Sequence, residues 1–324
     1  MQCSPARERE GLKDGCCLKL AELQTVASLL NKEHETSLNQ IQPIPLSAFV
    51  DRKLLIAALT RHFAPTCGQP DKTNKNKNKH QGQEQDGQCW LKQPVMKINE
   101  HSSTASKQLF DALQNAYKPH KPSAWKKNRR EWLNTFDILT VMKQYEAKYT
   151  TFEFLGVFPV DFAKTVKDTS SSAKTCIVQD MCNFNLDKLK ASGKLSFGIV
   201  MNLDRHNEPG SHWVACYCCF DPKNTKKYGI CYYDSGGELP PTPIADFIKT
   251  VIHQVDDPKN FKKKYNNTRH QFKNTECGIF SMLFVTLCLN NPHLTYHALR
   301  SLVPRDKNDN QVNKLRDHFY QESV

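Results

Sequence analysis

Cys277 lies in Thr275-Glu276-Cys277-Gly278, where a polar stretch gives way to the apolar run 278–289. That position predicts a cysteine at the N-terminus of a buried helix, facing unpaired backbone N–H groups and the positive end of the helix dipole. Both favour the thiolate, the form that attacks a carbonyl. Most buried cysteines are nevertheless inert filler, so the sulfur needs partners before it counts as a nucleophile. Gln271, six residues upstream, supplies a side-chain amide that can donate to an oxyanion beside the backbone N–H of Cys277. On its own it would read as a polar surface residue.

A general base is expected at His212, which follows Gly210-Ser211 and opens the apolar run HWVACYCCF, at the tip of a strand. The segments 212–220 and 228–234 flank DPKNTKK (221–227), rich in turn formers, and so predict a hairpin. A turn centred on Asn224 sets Asp234 opposite Val214. His212 and Asp234 then project from one face as diagonal neighbours, with the carboxylate able to orient the imidazole. A slip of one residue would separate them onto opposite faces. Taken without Cys277, Asp234 reads as a turn residue before Ser235-Gly236-Gly237.

Rival constellations are weaker. His270 neighbours Gln271 on an extended segment and is expected to point away from it. Cys216-Tyr217-Cys218-Cys219 has the C-x-x-C spacing of a zinc site, but strand alternation splits the sulfurs between two faces with no second ligand pair nearby. They read as core, and neither metal nor cofactor is expected. Cys16-Cys17 and Cys67 read as packing or exposed thiols. Asn266-Asn267-Thr268 is a glycosylation sequon without consequence in a non-secreted chain.

The ordered set His212-Trp213, Tyr233-Asp234-Ser235-Gly236-Gly237, Gln271 and Cys277-Gly278 resembles the clan of adenain and the SUMO proteases. Within it the chain is most like the polyprotein-processing cysteine proteases of African swine fever virus and other large DNA viruses. The similar stretches are AKYTTF (147–152), FGIVMNLD (197–204), HWVA (212–215), RHQ (269–271), TECG (275–278) and KLRDHF (314–319). The likeness is specific over 135–324 and general before it. The swine-fever-type enzyme has Asn where this chain has Asp234, whereas the SUMO proteases have Asp.

The resemblance implies a catalytic set: Cys277 as nucleophile, His212 as base, Asp234 holding the His tautomer and Gln271 in the oxyanion hole. Trp213 would line a narrow channel that admits small residues of the Gly-Gly type. It implies a mixed central sheet packed between helices, preceded by a helical N-terminal extension. It also implies a cysteine endopeptidase that processes a viral structural polyprotein during virion maturation, in the host cytoplasm and the virion. Three alternatives remain open: a protease deconjugating ubiquitin-like tails, acetyl transfer on a related scaffold, and a basic DNA-associated core protein with an inactive protease fold.

The elements that must position these residues form an α+β pattern. Helices are expected at 15–31, at 47–63 with Pro65 as its stop, at 107–117, from a cap at Asn134 or Thr135, at 244–255 and at 278–289. Strands are expected at 175–179, 196–204, 212–220 and 228–234. Residues 68–88 contain no aliphatic or aromatic side chain and predict a mobile loop. The expected organisation is an N-terminal extension over 1–130 and a protease domain over 131–324.

Composition agrees with a globular chain. The 324 residues are 39% hydrophobic, enough for a core, and the mean hydropathy of −0.62 goes with no apolar run long enough to cross a membrane. The first thirty residues lack the apolar stretch of a secretory signal. A net charge of +12 raises the odds of non-specific association with nucleic acid. The basic link 126–130, with Trp125 and Trp132, is a candidate contact, although it reads first as a solvated face. Thirteen cysteines, odd in number and irregularly spaced, are expected to be reduced thiols with no disulfide framework.

Overall fold

The computed structural model describes residues 3–36, 43–67, 89–90, 113, 115–167, 174–291 and 308–322. The loop expected at 68–88 lies outside the described residues, as does most of the helix expected at 107–117. The chain divides into two compact units, one of Met1–His120 with Tyr320–Val324 and one of Lys121–Phe319.

The first unit is helical, with α1 (Glu8–Asp14), α2 (Leu20–Thr36) and α3 (Arg52–Cys67). Leu23, Val26, Ala27, Leu30, Leu55, Leu59, Phe63 and Trp90 make its core. Helix α2 starts five residues later than its apolar stripe suggests. The Arg52 guanidinium takes the carbonyls of Cys16 and Leu18, so this buried stretch satisfies its polar groups without helical bonds. The helix expected at 47–63 resolves into a 3₁₀ turn, Leu46–Val50, and then α3. Between them the Asp51 carboxylate accepts from the backbone N–H groups of Lys53 and Leu54 and caps α3. Pro65 does not stop α3. It falls in the last turn, where one intrahelical bond is lost but the helix has only two more residues to run, and Cys67 at its end is tied to Cys89.

That bond belongs to a correction. Cys3–Cys17, Cys67–Cys89 and Cys176–Cys182 are disulfides, so six of the thirteen cysteines are not thiols. The pairs lie 14, 22 and 6 residues apart in sequence. Such local closures leave no trace in an overall count, and the odd total only requires that one sulfur remain unpaired.

The second unit is built on a five-stranded mixed sheet: β1 (Phe152–Pro159), β4 (Ser196–Asn202), β5 (Trp213–Cys219), β6 (Gly229–Tyr233) and β7 (Lys262–Tyr265), side by side in that order. The central strands β4, β5 and β6 are antiparallel, whereas β1 on β4 and β7 on β6 are parallel. A separate hairpin pairs β2 (Thr165–Lys167) with β3 (Lys174–Cys176). Short helices α5 (Gln179–Cys182) and α6 (Leu186–Ala191) follow. Every residue of β4 and β5 is buried, as expected of strands covered on both faces.

One face carries Phe197, Ile199, Met201, Val214, Cys216, Cys218, Ile230 and Tyr232 in one cluster with Ile244, Phe247, Ile248 and Val251 of α7 (Thr242–Gln254). The other meets α8 (Cys277–Asn290), where Phe284 stacks on Tyr233 at 4.8 Å between ring centres. Helix α4 (Thr135–Lys148) packs on β1 and opens with a capping box between Asn134 and Asp137. The chain continues through α9 (Asn308–Lys314) and α10 (Arg316–Phe319). The result is α+β, a mixed sheet between helices.

Candidate active site

The β5–β6 hairpin has the register anticipated from its turn: Ala215 lies opposite Tyr233 and Cys219 opposite Gly229. His212 therefore sits one residue before β5, and Asp234 one residue after β6, at the same end of the sheet. His212 Nε2 is 2.6 Å from Asp234 Oδ1. The carboxylate is held in turn by the backbone: Oδ1 accepts from the Gly236 N–H at 2.8 Å and Oδ2 from that of Glu238 at 3.1 Å. The turn needs Gly237, whose φ of +84° belongs to the left-handed region.

Cys277 is the first residue of α8 and is buried. No side chain caps this helix end, because Glu276 at the N-cap turns its carboxylate elsewhere. The first-turn N–H groups are thus left for whatever charge forms near the sulfur. The Cys277 sulfur lies close enough to His212 to act on the charge of its imidazole. With Nε2 taken by Asp234, Nδ1 is the ring nitrogen left to face the sulfur.

The electrostatics follow from that sandwich. Burial works against a charged imidazole, but the hydrogen bond to Asp234 and its negative charge, with the Cys277 sulfur acting in the same sense, outweigh it and raise His212 from 6.5 to about 10. Burial would likewise raise the Asp234 carboxyl, and the His212 hydrogen bond and charge together with the two backbone N–H groups bring it below 3.8. Imidazolium and carboxylate stabilise each other.

Gln271 is buried in the loop between β7 and α8. Its Oε1 accepts from Ser235 Oγ at 2.6 Å, and one N–H of Nε2 donates to the Lys273 carbonyl at 2.6 Å. Fixing the oxygen decides which way the amide faces. The second N–H remains available as an oxyanion donor.

Trp213 is buried beside His212 and donates its indole N–H to the Leu133 carbonyl at 2.9 Å. The Leu133 side chain covers Gly278, where a Cβ would stand 2.9 Å from Leu133 Cδ1. A wall of Trp213 and Leu133 therefore runs past the residue after the sulfur. The structure brings His212, Asp234 and Cys277 together, orients Gln271 and packs Trp213 beside them.

Other singled-out residues take no part. His270 Nδ1 bonds the Tyr233 hydroxyl at 3.0 Å. Cys216 and Cys218 lie in the sheet core, and among the described residues no group of three or more His, Cys, Asp or Glu could hold a metal ion. Asn266 of the sequon is buried and donates to the Asp234 carbonyl. From the basic link, Arg129 reaches Asp317 and Arg130 reaches Glu276.

Sequence reading missed the supports: Ser235, Leu133, Asp309 and the group around Glu276. Glu276 is fully buried and accepts from Asn313 Nδ2 at 2.8 Å and from the equally buried Arg316 Nε at 3.2 Å, while Arg316 lies 4.4 Å from the Trp125 ring centre. Only Glu276 offered a signal, as a charge abutting an apolar helix.

Residues 199–322 match the model of the Ulp1 protease family, C-terminal catalytic domain. A putative thiol protease of Acanthamoeba polyphaga mimivirus is 28% identical over 212 residues, 65% of this chain and 62% of that protein. The chain thus spans less than two thirds of the mimivirus protein's length. A cysteine protease of African swine fever virus is 25% identical over 247 residues, 72% of this chain and 81% of that protein. The crystal structure of an African swine fever virus protease aligns with all of this chain and 96% of its own, with a TM-score of 0.58 at 18% identity, which shows a shared fold.

Proposed function

We propose that this chain, whose residues 199–322 match the Ulp1 protease family's catalytic domain, is a cysteine endopeptidase that processes a viral structural polyprotein after Gly-Gly-type motifs during virion maturation. The observation that carries the chemistry is the line Asp234–His212–Cys277, which ends at an uncapped helix N-terminus with the Gln271 amide oriented beside the loop.

In the first half-reaction Cys277 Sγ attacks the scissile carbonyl carbon. A C–S bond forms and the carbonyl π pair moves onto oxygen. That oxyanion takes N–H groups from Gln271 Nε2 and the Cys277 backbone. His212 then gives its proton to the leaving amine nitrogen, and the C–N bond breaks. In the second half, His212 takes a proton from water, hydroxide attacks the thioester, and the acid product leaves as Cys277 departs as thiolate. Asp234 holds the ring so that one nitrogen always faces the sulfur.

The buried Trp213–Leu133 wall supports a narrow passage, which favours substrates without side chains before the scissile bond. The matched relatives are viral thiol and cysteine proteases, which favours a viral protein as the substrate, and we place that action in the host cytoplasm and virion as part of the same proposal. The Ulp1 family match favours a second reading, removal of ubiquitin-like modifiers, whose tails also end in Gly-Gly. Mass-spectrometric mapping of cleavage sites for the wild type and Cys277→Ser, on Gly-Gly-X peptides and on SUMO and ubiquitin tail reporters, tests both. Turnover of the modifiers alone would replace the first reading with the second.

A further inference from the structure

We propose that Asp309 is a positioning residue for the oxyanion donor, acting on Gln271 through the Lys273 peptide. This rests on the role of Gln271 given above.

Gln271 is pinned at two ends, and the ends differ in what supports them. Its oxygen is held by Ser235, at the end of the central sheet. Its nitrogen is held by the Lys273 carbonyl, which belongs to a loop without regular structure. The side chains of Phe272 and Lys273 are exposed, so packing does not fix that stretch. What fixes it is a carboxylate from α9. Asp309, 6% exposed, accepts from the Phe272 N–H through Oδ2 at 2.9 Å and from the Lys273 N–H through Oδ1 at 3.1 Å.

The Phe272 N–H shares its peptide plane with the Gln271 carbonyl and the Lys273 N–H shares its plane with the Phe272 carbonyl, so the two bonds fix the backbone from Gln271 to the Lys273 Cα and leave one ψ rotation to aim the Lys273 carbonyl at Nε2. That carbonyl takes one N–H of Nε2, and the planar amide then has no choice about where the second one points. Arg269 adds a brace at the same place, its Nε donating to the Gln271 carbonyl at 2.7 Å. Releasing Asp309 leaves Gln271 anchored by its oxygen alone, free to swing its donor away from the reacting carbonyl. Asp309 touches neither substrate nor sulfur.

A carboxylate that merely stabilised the loop would slow catalysis independently of Gln271, so the test is a double-mutant cycle in the full chain. Asp309→Ala, Gln271→Ala and the pair are assayed for kcat and KM on a fluorogenic Gly-Gly peptide. Thermal midpoint and the rate of Cys277 alkylation by iodoacetamide are measured alongside. Asp309→Ala should lower kcat about 10- to 100-fold, by analogy with outer supports of other site residues, and leave KM nearly unchanged. Alkylation should hold its wild-type rate, because the His212 pair is untouched. In the Gln271→Ala background the same change should cost less than about twofold, within the scatter of independent effects.

Asp309→Asn guards against misfolding of the alanine variant. Its oxygen accepts one N–H, but its NH₂ opposes the other, so an intermediate kcat is expected at a near-native midpoint. Losses that multiply in the double variant, or a native kcat in both Asp309 variants, would overturn the proposal while leaving the protease assignment standing. A wild-type protein that alkylates but cleaves no Gly-Gly or modifier substrate would remove the assignment and this inference with it.

Discussion

His212 Nε2 and Asp234 Oδ1 stand 2.6 Å apart across the open end of the β5–β6 hairpin. The pair fixes the charge of the imidazole as well as its angle, and the pH behaviour follows from that.

His212 is raised in the folded protein, from 6.5 to about 10. Its contribution to stability is complete below 6.5 and fades as pH climbs through about 10. Asp234 is lowered, so its contribution is complete above 3.8 and is lost as pH falls through its folded value. Thermal midpoints should decline between pH 7 and 10 in the wild type and stay flatter there in His212→Gln. The alkaline limb of kcat/KM should fall near pH 10. In Asp234→Ala that limb should move to lower pH, with kcat down ~10²–10⁴-fold. An unmoved limb would mean that Asp234 does not hold the charge.

Gln271→Ala should cost ~10²–10³ in kcat, the usual loss for one oxyanion donor. Cys277→Ser should abolish turnover. Steady-state kinetics on one peptide substrate checks both, and a Gln271→Ala enzyme at full rate would place the oxyanion elsewhere.

Arg316→Met should destabilise the protein by about 3–5 kcal/mol, because it removes the one fully buried cation on the Glu276 carboxylate and leaves it Asn313 and the half-exposed Arg130. Chemical denaturation measures it. Replacing both partners with apolar residues should recover much of the loss.

Gly237→Ala should cost more than about 1 kcal/mol. At φ +84° a Cβ is strained, and it would meet the backbone of Thr268 and Arg269 at 2.8 Å. Because this turn carries Asp234, activity should fall along with the thermal midpoint.

Thiol titration of the denatured, unreduced protein should find seven free cysteines, and non-reducing peptide mapping should recover the pairs 3–17, 67–89 and 176–182. Thirteen titrating thiols would restore the reduced state expected from composition.

What was legible in the sequence was whatever a local pattern encodes. The turn formers at 221–227 and the alternation on either side gave the β5–β6 register, and with it the approach of His212 to Asp234. The all-round apolar run located α8 to within a residue. What escaped was decided at long range. Strand β7 was not expected, because three of its four residues are lysines, yet their backbone pairs with β6, and charge on an edge strand discourages further pairing. Strand β1 hides its alternation behind a register shift between Phe154 and Gly156. Asp309 and Arg316 look like ordinary charges in a polar stretch until the fold brings them to residues some forty positions earlier.

The buried pairing of Glu276 with Arg316 also sets a timetable for the growing polypeptide. The hairpin bearing the imidazole can close as soon as it is synthesised, but the carboxylate beside the sulfur has only the longer Arg130 contact until residue 316 has been made and docked. The buried, fully paired setting of the residue before Cys277 is therefore complete only once residue 316 is in place.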